Sequence, residues 1–310
     1  MATATMTRRE PSGRAAGTRR RRGRGALTWI VVVAAVLVAW EGLKFLGGVP
    51  WRAPGALPGP GNPVLWNPPF RWPFVNDLNL PHVWNIGLAF LDPWQRGADR
   101  NVAQFLFDAA LYTWREAALG FLLGTAIGLL LATIFVHSRL AERAFVPYVV
   151  ASQTVPIIAL APLITYAFGG STLAVVVIAT YLTFFPVTIA MIVGLRSFDP
   201  RALELTRSYA ASRWDVYRKL RLPAALPYLF TALKIAATAS IVGAIIGESP
   251  GGIADGLGRV ILTYNQYYIT GPEKLWAAVI ASGLLGVAFY LVVRAAEVVV
   301  LRGRPGAAEG

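Results

Sequence analysis

One stretch of the sequence has the spacing of a catalytic motif. Residues 247–251 read Gly-Glu-Ser-Pro-Gly, which matches the G-x-S-x-G nucleophile elbow of serine hydrolases. That elbow needs a strand before the serine and a helix after it. Here an apolar, helix-like segment precedes Ser249 and a glycine-rich stretch follows it, and both histidines, His82 and His137, precede the serine. We therefore interpret the motif as a turn that ends a helix.

Other catalytic and metal-binding chemistries lack their residues in this chain. The sequence contains no cysteine, which removes disulfides, zinc–thiolate sites and thiol nucleophiles. None of its four lysines follows a glycine, so the P-loop sequence G-x-x-x-x-G-K does not occur. We therefore predict that the chain is not an enzyme, that it holds no metal or cofactor, and that it does not hydrolyse ATP through a P-loop.

The composition indicates a membrane protein. Of the 310 residues, 55% are hydrophobic and only 15% are charged, whereas soluble domains have about 25% charged residues. Apolar runs about long enough to cross a bilayer predict an all-α protein with six transmembrane helices. The predicted spans are residues 27–48, 109–136, 145–168, 172–195, 224–247 and 275–300.

The N-terminal residues 1–26 are strongly basic, with eight arginines, one acid and a net charge of +7. Few large apolar residues occur there, so we expect a disordered tail beside the membrane, with a nucleic-acid-binding arm as the alternative. Arg8-Arg9 would suit a twin-arginine signal peptide. No small-residue cleavage site follows the apolar run, so we expect an uncleaved anchor instead.

The distribution of charge predicts the orientation. Six spans place residues 1–26, 137–144, 196–223 and 302–310 on one side of the membrane, and these segments together carry the whole net charge of +13. The positive-inside rule assigns such segments to the cytoplasm. We therefore expect both termini in the cytoplasm (N-in, C-in), with a five-helix core at residues 102–301.

Residues 49–101 would then be an extracytoplasmic insert. They contain ten prolines and five of the ten tryptophans. This density of proline disfavours long helices and central strands, and tryptophan favours the membrane–water interface. We expect a layer that lies on the outer membrane face, with a docking surface for an external partner as the alternative.

Two patterns concern packing near or within the membrane. Gly120, Gly124 and Gly128 recur every four residues, which predicts a helix face that a second helix can approach closely. Glu41 and Lys44 are three residues apart in the first span and could pair with each other, because ionisable groups at such positions need a partner or water.

A proline-rich third span suggests a translocation path. Gln153 and Thr154 precede Pro156, and proline bends a helix and frees a backbone carbonyl. Broken helices at membrane depth tend to line cavities, so these three residues are path candidates, with hydrogen bonding between helices as the alternative. Glu248, at the outer end of the fifth span, is a fourth candidate.

The segment 196–223 carries the strongest functional signal. Asp199 before Pro200 predicts the start of one short helix, and Ser212 followed by Asp215 predicts the start of a second. We expect the two helices to meet at Ala210-Ala211 and the element to end at Pro223. Apolar side chains among its basic residues favour a docking surface, with a solvated loop as the alternative.

This segment resembles the EAA loop of ABC importer permeases. The family pattern is Glu-Ala-Ala, three residues, Gly, nine residues, then Ile-x-Leu-Pro. Here Glu204-Leu205-Thr206 is followed at the same spacing by Ala210 and by Leu220-Arg221-Leu222-Pro223. The acid and the Leu-Pro end match, whereas Ala210 replaces the glycine. That change matters if the bend needs a positive φ, which alanine resists.

The resemblance extends from about residue 113 to residue 247. Residues 120–132, 152–163 and 222–236 are similar to permeases of the nitrate, sulfonate and taurine type. That group also includes permeases assigned to pyrimidine thiamine precursors and to riboflavin, which residues 152–156 and Glu116 resemble most.

The resemblance implies a type I ABC importer. Its permease pair, here expected to be a homodimer, would form the path for a small molecule: a sulfonate- or nitrate-like anion, or a pyrimidine- or riboflavin-type vitamin precursor. Two cytosolic ATPase subunits would drive it, and an extracytoplasmic solute-binding protein would deliver the solute. The ATPase-coupling residues would be Glu204, Ala210, Ala211, Ser212, Arg213, Trp214, Leu222 and Pro223. A self-powered secondary transporter or channel is the alternative, and it would need internal repeats and ion-coupling residues.

Overall fold

The computed structural model describes residues 15–52, 63–250, 253 and 255–302. The beginning of the predicted basic tail, part of the insert and nearly all of the predicted C-terminal tail lie outside the described residues. The chain divides into two compact units, Met1–Ile86 and Gly87–Gly310. Among the described residues, five helices are long and apolar enough to cross a membrane, or up to six spans if a bent helix pair counts as one.

Helices account for most of the described residues of both units. The first unit contains α1 (Ala15–Leu46), the antiparallel strands β1 (Trp51–Arg52) and β2 (Val64–Trp66), and the start of α2 (Val83–Ala89). The second contains α3 (Val102–His137), α4 (Arg139–Ser152), α5 (Ile157–Ala167), α6 (Thr172–Gly194), α7 (Pro200–Ser208), α8 (Arg213–Val216), a π-turn (Tyr217–Arg221), α9 (Leu222–Glu248), α10 (Leu257–Gln266), a 3₁₀ turn (Tyr268–Thr270) and α11 (Pro272–Leu301).

The first helix begins earlier than the sequence predicts. Helix α1 starts at Ala15, so residues 15–26 are helical and the expectation of a disordered tail is wrong for them. Arginine has a good helix propensity, and these residues extend a helix that the apolar span already forms. In the described part of the insert, the elements are two short strands and the seven-residue helix α2, which agrees with the prediction that its prolines disfavour long elements.

Glu41 and Lys44 anchor the insert to α1, and the predicted pairing between these two residues is wrong. Lys44 Nζ lies 2.6 Å from Asp77 Oδ1, and Glu41 Oε2 lies 2.9 Å from Nδ1 of the buried His82. Both partners belong to the insert, so Glu41 and Lys44 each pair with the insert and not with each other. Burial lowers the pKa of His82 below its usual value.

The second unit is built on close contact among α3, α6 and α9. A methyl group added to Gly120 would lie 2.4 Å from Ala179 Cβ on α6, and one added to Gly243 on α9 would lie 2.8 Å from Ala179 Cα. One added to Gly124 would lie 2.6 Å from Thr183 Cβ. The helix backbones are therefore so close at these positions that only glycine fits. This confirms the prediction that the glycine face of α3 lets a second helix approach closely.

The predicted third span is two helices. Helices α4 and α5 meet at 96°, and α4 begins at Arg139, inside the segment 137–144 that was predicted to lie between two spans. The break falls at Gln153–Pro156, because proline disfavours a helical conformation in the residue before it. Pro147 and Pro162 lie inside α4 and α5 without ending them.

Candidate functional site

The 196–223 element starts both of its short helices at the predicted caps. Asp199 Oδ1 accepts a hydrogen bond of 2.9 Å from the Arg201 N–H, with Pro200 at the first helical position. Ser212 Oγ accepts one of 3.1 Å from the Asp215 N–H. These side chains satisfy N–H groups that have no partner within the helix.

The bend between α7 and α8 requires the conformation that glycine favours. Ala210 has φ +51° and is the one described residue other than glycine with a positive φ. The Ala210 N–H donates to the Arg207 carbonyl (2.9 Å), and the Ala211 N–H donates to the Thr206 carbonyl (3.1 Å). This pair of bonds is a Schellman motif. Alanine thus adopts the left-handed conformation at a cost of about 1 kcal/mol.

The same element exposes apolar side chains to solvent. Tyr209 is 79% exposed, Trp214 is 66% exposed and Leu205 is 59% exposed, and Glu204 is exposed beside them. Of the other predicted coupling residues, Ala210, Ser212 and Arg213 are exposed, whereas Ala211, Leu222 and Pro223 are half-buried.

The predicted end of the element at Pro223 is wrong. Pro223 lies in the first turn of α9, directly after the π-turn, so the helix continues through the proline. The π-turn Tyr217–Arg221 joins α8 directly to α9, so one continuous helical rod, Arg213–Glu248, runs from the bend through the unit.

Tyr217 connects this element to α3. Its hydroxyl lies 2.9 Å from Thr133 Oγ1, which itself donates a 2.8 Å bond to the Leu129 carbonyl. Because the single Thr133 proton is used in that bond, Tyr217 is the donor. Trp214 stacks on Tyr217 with the rings 5.6 Å apart. Sequence reasoning missed the bond between Tyr217 and Thr133, because 84 residues separate the two and Tyr217 occupies a position that the EAA pattern leaves unspecified.

The predicted path residues lie together at the break between α4 and α5. Thr154 and Pro156 are exposed, and Thr154 Oγ1 donates 2.7 Å to the Ala151 carbonyl. Gln153 Nε2 is buried without a hydrogen-bond partner among the described residues. The Tyr181 hydroxyl of α6 donates to the Ser152 carbonyl, which satisfies a carbonyl that the break frees.

Glu248 lies apart from these residues, in a buried carboxyl pair with Glu116. Glu248 is fully buried and Glu116 is 2% exposed, and the two carboxyl groups interact. Neither Glu116 oxygen has a hydrogen-bond partner among the described residues. Sequence reasoning placed Glu248 at the outer end of the fifth span and used Glu116 only for the family resemblance, and it had no signal that would bring the two together.

Glu248 also holds the start of α10. Its Oε2 accepts a 2.7 Å bond from the Gly258 N–H. Gly256 has φ +100°, and a methyl group there would lie 2.3 Å from Glu248 Cδ. Thr113 Oγ1 accepts a second bond, of 2.8 Å, from the Leu257 N–H. A distant carboxylate and hydroxyl therefore satisfy N–H groups of a helix start that has no side-chain cap of its own.

Comparison with known proteins identifies the family. A family model described as "Binding-protein-dependent transport system inner membrane component" matches residues 124–299, which include the whole 196–223 element. The chain belongs to this family. It is a multi-pass inner-membrane permease subunit of the ABC importer class, which bears out the resemblance of the 196–223 element.

Several curated relatives are permeases. The chain is 35% identical over 163 residues to a probable ABC transporter permease of Haemophilus influenzae, covering 53% of this chain and 66% of that one. It is 33% identical over 190 residues to the formylaminopyrimidine transport permease ThiX of Halalkalibacterium halodurans, covering 60% and 74%. It is 36% identical over 125 residues to the riboflavin permease RibX of Chloroflexus aurantiacus, covering 40% and 46%. Permeases named for aliphatic sulfonates and nitrate match at 29% and 28% identity.

The fold is that of a type I ABC importer membrane domain. A chain of the crystal structure of an amino acid ABC transporter matches with a TM-score of 0.52 at 17% identity, covering 63% of this chain and 94% of that one. At this identity the likeness concerns the fold alone.

Proposed function

We propose that two copies of this chain form the path of an importer driven by two cytosolic ATPase subunits that bind the 196–223 element. The observation that carries the proposal is the exposure of Leu205, Tyr209 and Trp214 on a capped two-helix element. Large apolar side chains that stay in water mark a protein-binding surface. A rigid bend at Ala210 fixes the angle at which the two helices would enter a groove of the partner.

The connection of the element to the spans supports its coupling role. Helix α9 continues from the π-turn without a loop, and Tyr217 is bonded to α3. Arg196 donates a bidentate pair of 2.8 Å bonds to Glu142 on α4. A displacement of the element by the ATPase would therefore move α3, α4 and α9 together and would alternate the side on which the path is open.

For the path itself, we propose the break segment Gln153–Pro156. Its freed carbonyls, and the Gln153 Nε2 atom that has no hydrogen-bond partner among the described residues, are polar groups in a span, where irregular backbone is tolerated beside a cavity. Glu248 would meet the path only if α9 and α10 moved apart, because it is fully buried. The concentration of basic residues in 196–223 and near the first span supports the N-in, C-in orientation.

For the solute, we propose a small molecule that an extracytoplasmic binding protein delivers. Relatives named for a formylaminopyrimidine and for riboflavin are 33% and 36% identical to this chain, which favours a nitrogen heterocycle of the vitamin-precursor kind. A sulfonate- or nitrate-like anion is the second class.

The test is a mild-detergent purification of the tagged full chain from its native membrane. We expect a P-loop ATPase to co-purify with the wild type, and its recovery to fall with Trp214→Ala and with Glu204→Ala. Trp29→Ala is the matched control, because Trp29 is 73% exposed on α1, outside the element. Recovery of the folded chain alone, with no ATPase, would favour a self-powered transporter.

A further inference from the structure

Three aromatic rings form a row in the insert of the first unit, in which Phe70 and Phe74 are exposed and Trp72 is half-buried. Phe70, Trp72 and Phe74 alternate along the chain, and their rings are stacked nearly parallel. The ring centroids of Phe70 and Trp72 are 5.8 Å apart with an angle of 4°, and those of Trp72 and Phe74 are 6.0 Å apart with an angle of 5°. We call these three residues the aromatic row.

The aromatic row is fixed at the level where α1 ends. The Phe70 N–H donates to the Leu46 carbonyl (3.1 Å), and the Gly48 N–H donates to the Phe70 carbonyl (3.0 Å). Trp72 lies directly on Gly47, where an added methyl group would be 2.3 Å from Trp72 Cε3. The row therefore cannot change its height relative to the span without breaking these contacts.

The exposed surface of the row continues that of the span. Phe70 is 56% exposed and Phe74 is 61% exposed. Leu43, Phe45 and Leu46, in the last turn of α1, are each 45–48% exposed. Phe70 is hydrogen-bonded to Leu46, so these exposed apolar side chains lie near one another. Such a surface is unfavourable in water, and α1 is long and apolar enough to cross a membrane.

We propose that the aromatic row lies in the interfacial layer of the bilayer at the C-terminal end of α1, against phospholipid headgroups and the first acyl carbons. Aromatic side chains are enriched at this depth. The exposed Arg71 stands within the row, and its guanidinium suits a lipid phosphate. The continuity of the row with the lipid-exposed helix favours lipid over a soluble protein as the occupant.

The absence of cysteine from the chain gives a direct test. Phe74→Cys would introduce a single thiol for a spin label in the full chain, reconstituted in nanodiscs of phosphatidylethanolamine and phosphatidylglycerol. Val38→Cys calibrates a lipid-exposed position, since Val38 is 71% exposed on the span. Asp99→Cys, at an exposed loop residue, gives the reference value for a position in water. Phe70→Cys repeats the test at the other end of the row.

We expect the ratio of oxygen to water-soluble nickel collisions at positions 70 and 74 to lie between the ratios at positions 38 and 99, because a side chain in the interfacial layer lies shallower than a residue within the span. A ratio equal to that at position 99 would overturn the proposal, since the row would then face water. In that case, a drop in both collision rates on adding the solute-binding protein would assign the row to protein docking. The measurement does not involve the ATPase, so its outcome is independent of the proposed coupling.

Discussion

The Tyr217 hydroxyl donates a 2.9 Å hydrogen bond to Thr133, and this bond joins the π-turn after the exposed bend to α3. Thr133 in turn donates a hydrogen bond to the Leu129 carbonyl in its own helix. Trp214, the single tryptophan of the element, is exposed and stacks on the Tyr217 ring. A contact made by a partner at Trp214 is thus one side chain away from a span.

Tyr217→Phe should uncouple transport from ATP hydrolysis. The substitution keeps the ring stack with Trp214 and removes the bond to Thr133, which contributes about 1 kcal/mol, equivalent to ~5-fold in an equilibrium. We expect ATPase binding to persist, and solute moved per ATP in proteoliposomes to fall by up to about fivefold. Thr133→Val should give the same loss, and the double variant no more than either single one. Tyr209→Phe, on the same element, is the control. An unchanged ratio in Tyr217→Phe would remove the bond from the coupling path.

Ala210→Gly should tighten the bend. Glycine adopts φ +51° without the clash that costs alanine about 1 kcal/mol. We expect the amide hydrogens of residues 210 and 211 to exchange about fivefold more slowly, measured by mass spectrometry on the peptide that contains the bend. Ala202→Gly, within α7, should have the opposite effect, because glycine weakens a helix interior. Faster exchange in Ala210→Gly would show that alanine carries no strain there.

The bend shows what the sequence could and could not predict. Caps at Asp199 and Ser212 are local, so residue types and spacing specify them and both were correct. The positive φ at Ala210 could not be predicted outright, because the family has glycine at this position and this chain has alanine, which disfavours that conformation. Pro223 was misread because proline signals the end of a helix and its first turn equally well.

Contacts between distant segments were the main gap. The glycine spacing in α3 predicted close packing but not Ala179 as the partner. Nothing local indicates that Glu116 and Glu248 meet, or that Lys44 turns from Glu41 to Asp77. Such pairings depend on tertiary geometry, and a single sequence does not encode them in any periodic pattern.

Gly124→Ala should destabilise the α3–α6 contact. The new methyl group would lie 2.6 Å from Thr183 Cβ and 2.8 Å from the Thr180 carbonyl, so the helices must separate at a cost of about 1–3 kcal/mol. We expect a lower melting temperature of the detergent-solubilised chain. Gly283→Ala is the matched control, since nothing lies within 4 Å of its added methyl and alanine favours the helix. Equal melting temperatures for the two variants would contradict the close packing.

Glu116→Gln should be tolerated. The Glu116 carboxyl group has no cationic partner among the described residues, and an uncompensated buried charge is costly. Glutamine has the same shape without the charge, so a gain of about 1 kcal/mol from one new hydrogen bond is expected. The new amide can donate to Glu248 Oε1, which has no partner among the described residues. We expect a small rise in melting temperature. Glu248→Gln should lower it, because it weakens the bond to the Gly258 N–H. A large fall in Glu116→Gln would show that the Glu116 carboxylate has a ligand in the membrane.

Acidification should loosen the insert through His82. Burial lowers its pKa below 6.5 despite the nearby Glu41 and Asp77, and Lys44 adds to the lowering. The unfolded insert therefore takes up a proton at a higher pH than the folded one, so stability is complete above about pH 6.5 and falls as the pH drops towards the folded pKa. A spin label at Phe74→Cys should gain mobility over that range. His82→Asn cannot be protonated there but can still donate to Glu41, so it should abolish the change. If the spin label gains the same mobility with and without the His82→Asn substitution, the titrating group is not His82.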